Sequence, residues 1–361
     1  MTRPYIRKIA RSCVALLFVL SFLSPASADA LDKEINLGKK AAESIEEHWE
    51  RVADPAKSAR LNMILTRFIP YMERPLPYEV RIVREETINA FSLPGGIVYF
   101  TTGMLDFMRT DAEVAAILAH ELVHADRRHV IIQTARASRI SLAAVLLMVA
   151  TGGAAGPMML TSLLQAAVTN SYSIDLEREA DEEGFRILVE AGFPPSALVT
   201  ALEAMENDQL RRPHVDMGVF MTHPEMKERV QYILQMAKEQ NIPIMRKDAL
   251  HLLRTDVRDA DGRLELTVDG ASLWSVAGTE TNRARLEEIK EKIDRFFQME
   301  TVPYEIEVIA RDGKQGLRIG PSLVVAEPLP EGAEPLGTFR AALVDALNRA
   351  KEKHSGVIYM P

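Results

Sequence analysis

The sequence predicts an α+β protein: a mainly helical domain with a small β-sheet, followed by a small α/β domain of two strand-strand-helix repeats. Three observations lead to this prediction. Apolar residues recur at helical spacing through much of residues 31–240, and residues 78–100 alternate as strands do. From about Asp248 the composition shifts, and a pattern of strands followed by an amphipathic helix occurs twice, about 50 residues apart.

The first 28 residues predict a secretory signal peptide. Four basic residues precede the apolar residues 13–23, and Ala26-Ser27-Ala28 provides the small residues for cleavage near Ala28. We therefore expect a periplasmic or secreted protein; a membrane-associated one is the alternative, although the run is shorter than the ~20 residues that span a bilayer.

Cleavage would also change the charge and the cysteine content. Losing four positive charges takes the formal net charge from −8 to −12, which argues against nucleic acid as a partner. Cys13, the single cysteine, would leave as well, so neither disulfides nor thiolate metal ligands are expected.

Helices begin the predicted mature chain. Apolar residues recur every three or four positions over residues 31–72, and two prolines follow this helical stretch. Alternation over residues 78–100 predicts strands separated by a Pro-Gly-Gly turn. A helix over residues 111–132 comes next, since Thr110 and Glu113 form a capping-box pattern at its start.

Residues 140–174 contain no charged side chain. Each half is about ten residues long, below the length that spans a bilayer, and glycine and proline interrupt the middle. Two buried or lid-like helices near a functional site are the preferred interpretation. Peripheral contact of this segment with a membrane is the alternative.

Three more helical patterns cover residues 172–191, 196–210 and 224–240. Gly192 and two prolines separate the first of them from the second. We place the end of the first domain, residues 29–248, after the third.

The second domain, residues 249–361, is predicted to be a binding or positioning module. Asp261-Gly262 and Asp312-Gly313 stand at corresponding points of its two repeats, and each repeat continues into an amphipathic helix. Its histidines and Trp274 form no catalytic pattern. The expected partner of these repeats is an unidentified envelope protein.

The strongest chemical pattern is His120-Glu121-Leu122-Val123-His124. On a helix, residues four apart lie on one face about 5–6 Å apart, which suits two imidazoles that bind one Zn²⁺. Glu121 is then placed to accept a proton from water activated by the metal, so it is the predicted general base. One zinc ion per chain is the expected cofactor.

A catalytic zinc ion needs a third protein ligand and one open position. The longer pattern with a third histidine shortly after His124 is absent. His129 is expected to point away from the ligand face, as a helix-end histidine or as a support for a ligand. Glu177 and Asp181 share a face of a later helix, so one carboxylate can bind the metal while the other orients a ligand histidine.

Several short motifs together resemble metallopeptidase family forty-eight, the gluzincins of the HtpX and BepA type, and in particular its soluble periplasmic members. In chain order these are Asn89–Gly96 with Thr101–Gly103, His120–His124, Tyr172-Ser173 with Glu177, Ala180 and Asp181, and Thr222-His223-Pro224 with Arg229. By this resemblance Glu177 is the third zinc ligand, and Asp181 is the carboxylate behind a ligand histidine. The chain departs from the family at Ile174, where many relatives have arginine, and in its C-terminal repeats.

The resemblance also implies roles for His223 and for the strand at Asn89, Ala90 and Phe91. In similar proteins the histidine of the Thr-His-Pro element lies near the metal. His223 is therefore expected to occupy the open position at rest or to assist the oxyanion. The strand would pair with the backbone of a substrate; an ordinary buried strand is the alternative.

The predicted function is that of a zinc metalloendopeptidase, which hydrolyses peptide bonds of misfolded or misassembled envelope proteins with metal-activated water. The alternative function is that of a periplasmic chaperone-like or assembly factor whose zinc site stays mostly closed. Both functions require polypeptide partners.

Overall fold

The computed structural model describes residues 25–151, 156–168, 172–211, 223, 226–297, 303–311 and 313–353. The core of the predicted signal peptide therefore lies outside the described residues. The chain forms two compact units, one of residues 1–193 and 201–241, the other of residues 194–200 and 242–361.

The helices described in the first unit cover most of it. They are Pro25–His48 (α1), Pro55–Phe68 (α2), Thr102–Phe107 (α3), Asp111–Asp126 (α4), His129–Ser138 (α5), Leu142–Thr151 (α6), Gly156–Val168 (α7), Ile174–Glu190 (α8), Ser196–Arg211 (α9, which begins in the second unit) and Met226–Glu239 (α10). The helical stretch predicted over residues 31–72 is two helices. The second begins at Pro55, where the Asp54 side chain accepts hydrogen bonds from the first free N–H groups.

The predicted helix over residues 111–132 is wrong at its end. It stops at Asp126, because Arg128 has the left-handed φ of 62° and a new helix begins at His129. The Arg128 side chain donates to buried Glu34 on α1, which also accepts two hydrogen bonds from Arg74. This ion cluster holds the break in place.

The sheet of the first unit has three strands, Glu79–Val83 (β1), Ala90–Leu93 (β2) and Ile97–Thr101 (β3), in the order β1-β3-β2. β1 is parallel and β2 antiparallel to the central β3. β2 is consequently an edge strand, and no described residue forms a backbone hydrogen bond with its outer side.

The uncharged segment forms α6 and α7, which bury part of their surface on the core of the first unit. Val145 and Leu163 are fully buried in the cluster that contains Leu37 of α1 and Phe91 of β2. This packing agrees with the interpretation as buried helices. No helix among the described residues has both the length and the apolarity that crossing a bilayer requires.

The second unit contains the two predicted repeats, and each has one strand more than predicted. After Arg246–Leu250 (α11), the first repeat is Thr255–Ala260 (β4), Arg263–Val268 (β5), Ala271–Ala277 (β6) and Glu280–Phe297 (α12); the second is Ile306–Arg311 (β7), Lys314–Ile319 (β8), Ser322–Ala326 (β9) and Leu336–Lys353 (α13). These additional strands are β4 and β7, in which every residue except Ile306 is at least partly exposed. The α+β class is confirmed.

Each repeat forms its own antiparallel three-stranded sheet, and both contribute to one core. Trp274 of the first repeat stacks on Phe339 of the second with a centroid distance of 4.8 Å and an interplanar angle of 5°. The turn before β5 has positive φ at Asp261 and Gly262, and Gly313 repeats this conformation before β8. Glycine suits these positions because it adopts positive φ without strain.

The shared core gives a stability prediction. Phe339→Ala should lower the free energy of unfolding of the second unit by about 3–5 kcal/mol, because it removes a buried ring that stacks on Trp274. Urea denaturation followed by Trp274 fluorescence, in a Trp49→Phe background, measures this. Leu323→Ala, at an exposed position of the same unit, should change it by less than about 0.5 kcal/mol. Equal midpoints for the two variants would contradict the shared core.

Candidate metal centre

Two crossing helices place the predicted metal ligands. α4 carries His120, Glu121 and His124, and α8 carries Glu177 one turn before Asp181. At the crossing α8 presents Ala180 and Gly184, both small. A Cβ atom on Gly184 would lie only 3.3 Å from the backbone of His120, so glycine permits this close approach. The glutamate is thereby brought to the two histidines.

The side chains of His120, His124, Glu177 and His223 converge with ligand atoms all within 4.8 Å of one another. His120 Nε2 lies 3.0 Å from His124 Nε2 and 3.6 Å from Glu177 Oε2. Glu177 Oε1 lies 3.4 Å from His124 Nε2 and 2.8 Å from His223 Nδ1. All four side chains are buried, with at most 4% of each residue exposed.

These separations fit a tetrahedral zinc ion. Bonds of about 2.0–2.1 Å to four tetrahedral ligands would place the ligand atoms about 3.3–3.4 Å apart. The donor set of imidazole nitrogens and carboxylate oxygen also matches zinc, although the same donors bind other divalent metals.

The buried charges also call for a cation. Three buried carboxylates, Glu121, Glu177 and Asp181, face one buried guanidinium, that of Arg229. Two negative charges are left in a site without access to bulk water, and an uncompensated buried charge is costly. A divalent metal ion would balance them.

Asp181 orients His120. Its Oδ1 lies 3.0 Å from His120 Nδ1, so this nitrogen can donate a hydrogen bond and leave the Nε2 lone pair for a metal. Asp181 is held in turn by Arg229, which donates through Nε and Nη2 at 2.8 and 2.7 Å, and by the hydroxyl of Tyr232. Arg229 keeps the pKa of the buried Asp181 carboxyl well below its usual range even though burial raises it.

His129 lies behind His124 rather than away from it. The break after Asp126 turns His129 back, and its Nδ1 lies 2.9 Å from His124 Nδ1, while its Nε2 lies 3.4 Å from Glu179. The expectation that it points away from the ligand face was wrong, because that assumed an unbroken helix. Its interpretation as a support for a ligand agrees with the contact. Burial lowers the pKa of His129 to about 2, so the ring is neutral.

Glu121 and His223 face each other across the site. His223 Nε2 lies 3.3 Å from Glu121 Oε1, and Glu121 Oε2 has no hydrogen-bond partner among the described residues. Burial disfavours a charge on His223, but the carboxylates of Glu177 and Glu121 outweigh this and raise its pKa to about 10. Burial alone would raise the pKa of Glu121. The neighbouring imidazoles, above all that of His223, outweigh burial and leave the pKa of Glu121 below its usual value. The two carboxylates thus favour a positive charge at this point of the site.

Asn89, Ala90 and Phe91 lie at the start of the edge strand β2, which packs against α4. Phe91 stacks on Tyr99 and contacts Trp49, with centroid distances of 5.2 and 5.8 Å, so its side chain belongs to the core. What the strand can offer a substrate is its outer backbone edge. The Oδ1 atom of buried Asn89 has no hydrogen-bond partner among the described residues.

The ring of Tyr172 was not predicted to take part. It stacks on His124 at a centroid distance of 4.1 Å and lies 5.5 Å from the His223 ring. Burial, together with Glu121 and Glu177, raises its pKa well above the ordinary value, so the hydroxyl stays protonated as a donor. Its position just before α8 was visible in the motif, but its orientation depends on the packing of α8 on α4.

Comparison with known proteins identifies the family. The model of peptidase family M48 matches residues 55–237, about half of the chain. The chain belongs to this family. The matched range contains every residue of the candidate metal centre and confirms the resemblance inferred from the motifs.

Three relatives show how far the similarity to family members extends. The beta-barrel assembly-enhancing protease of Escherichia coli (strain K12) is 23% identical over 309 residues, which cover 77% of this chain and 63% of that protein. The metalloprotease YcaL of the same strain is 29% identical over 218 residues, 58% of this chain and 80% of its own. The mitochondrial metalloendopeptidase OMA1 of Schizosaccharomyces pombe is 30% identical over 176 residues, which cover 49% of this chain and 51% of that protein. The chain thus spans less than two thirds of the first of these relatives.

The contact between Asp181 and His120 gives a prediction for metal affinity. Asp181→Asn should weaken zinc binding about 10–100-fold, because an amide holds the His120 N–H less strongly and cannot balance Arg229. Competition with a chromogenic chelator measures the affinity. Asp175→Asn, an exposed carboxylate on the same helix paired with Arg136, is the control and should leave it unchanged. An unaltered affinity for Asp181→Asn would show that this contact does not support the site.

Proposed function

We propose that this protein is a zinc-dependent endopeptidase that hydrolyses peptide bonds of misfolded or misassembled envelope proteins. The observation that carries the proposal is the convergence of His120, His124 and Glu177 beside Glu121. Membership of peptidase family M48 supports it. The relatives named protease or metalloendopeptidase support the reaction class, and the one named for beta-barrel assembly supports an envelope substrate.

His120, His124 and Glu177 would hold the ion, with Asp181 and His129 fixing the two rings from behind. When bound, zinc supplies a Lewis acid that polarises a carbonyl and makes water acidic near neutral pH. Glu121 accepts the water proton on its unpartnered Oε2 and transfers it to the leaving amine. The protonated hydroxyl of Tyr172 is a candidate donor for the oxyanion, and the ring of His223 is another once the substrate has displaced it from its resting position.

The closed geometry supports a restrained resting state. His223 fills the space between Glu121 and Glu177, contacts both, and is buried. A substrate carbonyl needs that space. We therefore propose that His223 occupies the open position of the site at rest and is displaced by substrate.

The export of the protein to the envelope belongs to the same proposal. It rests on the sequence of residues 1–28, most of which lie outside the described part of the chain. Of these 28 residues, the structure describes the backbone of the last four, from Pro25, where α1 begins.

Glu121→Gln tests the reaction. The amide cannot accept the proton, so hydrolysis of casein by the zinc-loaded protein should fall at least about 100-fold, while bound zinc, measured by atomic emission, stays at one per chain. Glu47→Gln, an exposed glutamate of α1, is the matched control and should keep full activity. Casein hydrolysis retained by Glu121→Gln would defeat the assignment, and suppression of client aggregation by this inactive variant would favour the chaperone-like alternative.

His223→Ala tests the restraint. If His223 blocks the site with an energy of about 1.4 kcal/mol, its removal should raise basal casein hydrolysis about tenfold. The exposed His48 supplies the control, since His48→Ala should leave the rate unchanged. A rate equal to or below that of the wild type would show that His223 does not inhibit, and a fall would instead indicate a catalytic contribution.

A further inference from the structure

The outer edge of β9 in the second unit has no strand partner among the described residues. β9 pairs with β8 on one side, and no described residue forms a backbone hydrogen bond with its other side. Its sequence, Ser-Leu-Val-Val-Ala, has no charge, and Leu323 is 48% exposed. An exposed, uncharged edge strand is a template for pairing with another polypeptide.

The corresponding edge in the first repeat is covered. Residues 331–334, Glu-Gly-Ala-Glu, run along β6: Ala277 N donates to Glu331 O at 2.9 Å, and Glu334 N donates to Ser275 O at 3.1 Å. Arg263 holds this segment by donating to Gly332 O at 2.8 Å. A loop of the chain thus covers this edge through backbone hydrogen bonds, and Arg263 fastens it through the carbonyl of Gly332.

The other free edges are protected by charge. β4 carries Asp256, Arg258 and Asp259, and β7 carries Glu307 and Arg311. Charged side chains on an edge strand disfavour pairing with a further strand. β9 is therefore the edge of this unit that best accepts a partner.

A groove runs beside β9, between this strand and the last turns of α12. It encloses about 920 Å³, including space open to solvent, and its lining combines Leu323, Val324 and Phe296 with Lys292 and Arg295. Lys292 Nζ approaches the carbonyl oxygen of Val324 at 3.5 Å and is paired with Glu288. Among the described residues no carboxylate lies within ion-pair distance of Arg295, whose Nε donates to the Glu291 carbonyl.

We propose that the β9 edge and this groove bind an extended, acidic segment of a polypeptide, which adds to the sheet as a fourth strand. The backbone of the segment pairs with β9, apolar side chains contact Leu323, and acidic side chains face Arg295 and Lys292. In a chain of net charge −8, these two basic side chains, in a lining without a carboxylate, select acidic segments over basic ones. Binding at this site does not depend on hydrolysis.

The test uses the full-length Glu121→Gln protein, so that a bound peptide is not cleaved. The probe is a fluorescein-labelled ten-residue peptide of alternating valine and glutamate, and its valine–lysine counterpart is the charge control. Fluorescence anisotropy should show binding of the acidic peptide at least about tenfold tighter than binding of the basic one. Equal affinities for the two peptides would overturn the proposal.

Arg295→Glu should weaken binding of the acidic peptide at least about tenfold. Arg349→Glu is the matched control, because Ile293 and Phe296 of α12 correspond to Leu347 and Ala350 of α13, which puts Arg349 at the position equivalent to Arg295. Arg349→Glu should change the affinity for the acidic peptide by less than about twofold. Leu323→Glu, at the exposed edge itself, should weaken binding as Arg295→Glu does. Equal losses in the Arg295 and Arg349 variants, or no loss in the first, would contradict the site.

Two further measurements exclude other occupants. Deletion of residues 354–361 should leave the affinity unchanged; binding that appears only after the deletion would assign the groove to the tail of this chain and overturn a separate partner. Sedimentation velocity should show the same mass for wild type and Arg295→Glu. A dimer that Arg295→Glu dissociates would assign the edge to a second copy and equally overturn the proposal.

Discussion

The close crossing of α4 and α8 is the constraint on which the candidate metal centre depends. Ala180 and Gly184 allow the two helix backbones to meet, and only this approach brings Glu177 to His120 and His124. The crossing concentrates carboxylates where water is excluded. Arg229 and, in the proposed function, a divalent ion are the cations that make such burial tolerable.

A second layer of contacts fixes the ligand rings. Asp181 contacts His120 and is itself held by Arg229 and Tyr232. The helix α8 thus supplies both the candidate ligand Glu177 and the carboxylate that orients His120. His124 is supported differently, by His129, which reaches it because the chain breaks at Arg128. That break is anchored by Glu34 of α1, so a helix distant in sequence helps to set the geometry of the site.

The second unit shows how one pattern can give two different edges. Both repeats fold alike around one core, yet the segment after β9 returns to cover β6, while the link after β6 is only two residues long before α12 begins. Because of this asymmetry, β6 has a covered outer edge, while the outer edge of β9 has no backbone partner among the described residues.

Many features of this protein can be predicted from its amino-acid sequence. The spacing of His120 and His124, the i, i+4 pair Glu177 and Asp181, the α+β class and the two repeats were all readable, because helical and strand periodicities are local properties. The role of His223 followed only from resemblance and is still a proposal.

Contacts between residues that are distant in sequence could not be predicted from local patterns. The orientation of His129, the stacking of Tyr172 and the clamp on Asp181 depend on a backbone break and on helix packing, which no local pattern encodes. The strands β4 and β7 also escaped prediction, and their pairing with β5 and β8 appears only in the folded chain. Which sheet edge is covered depends on where a loop returns, and that is a property of the folded chain alone.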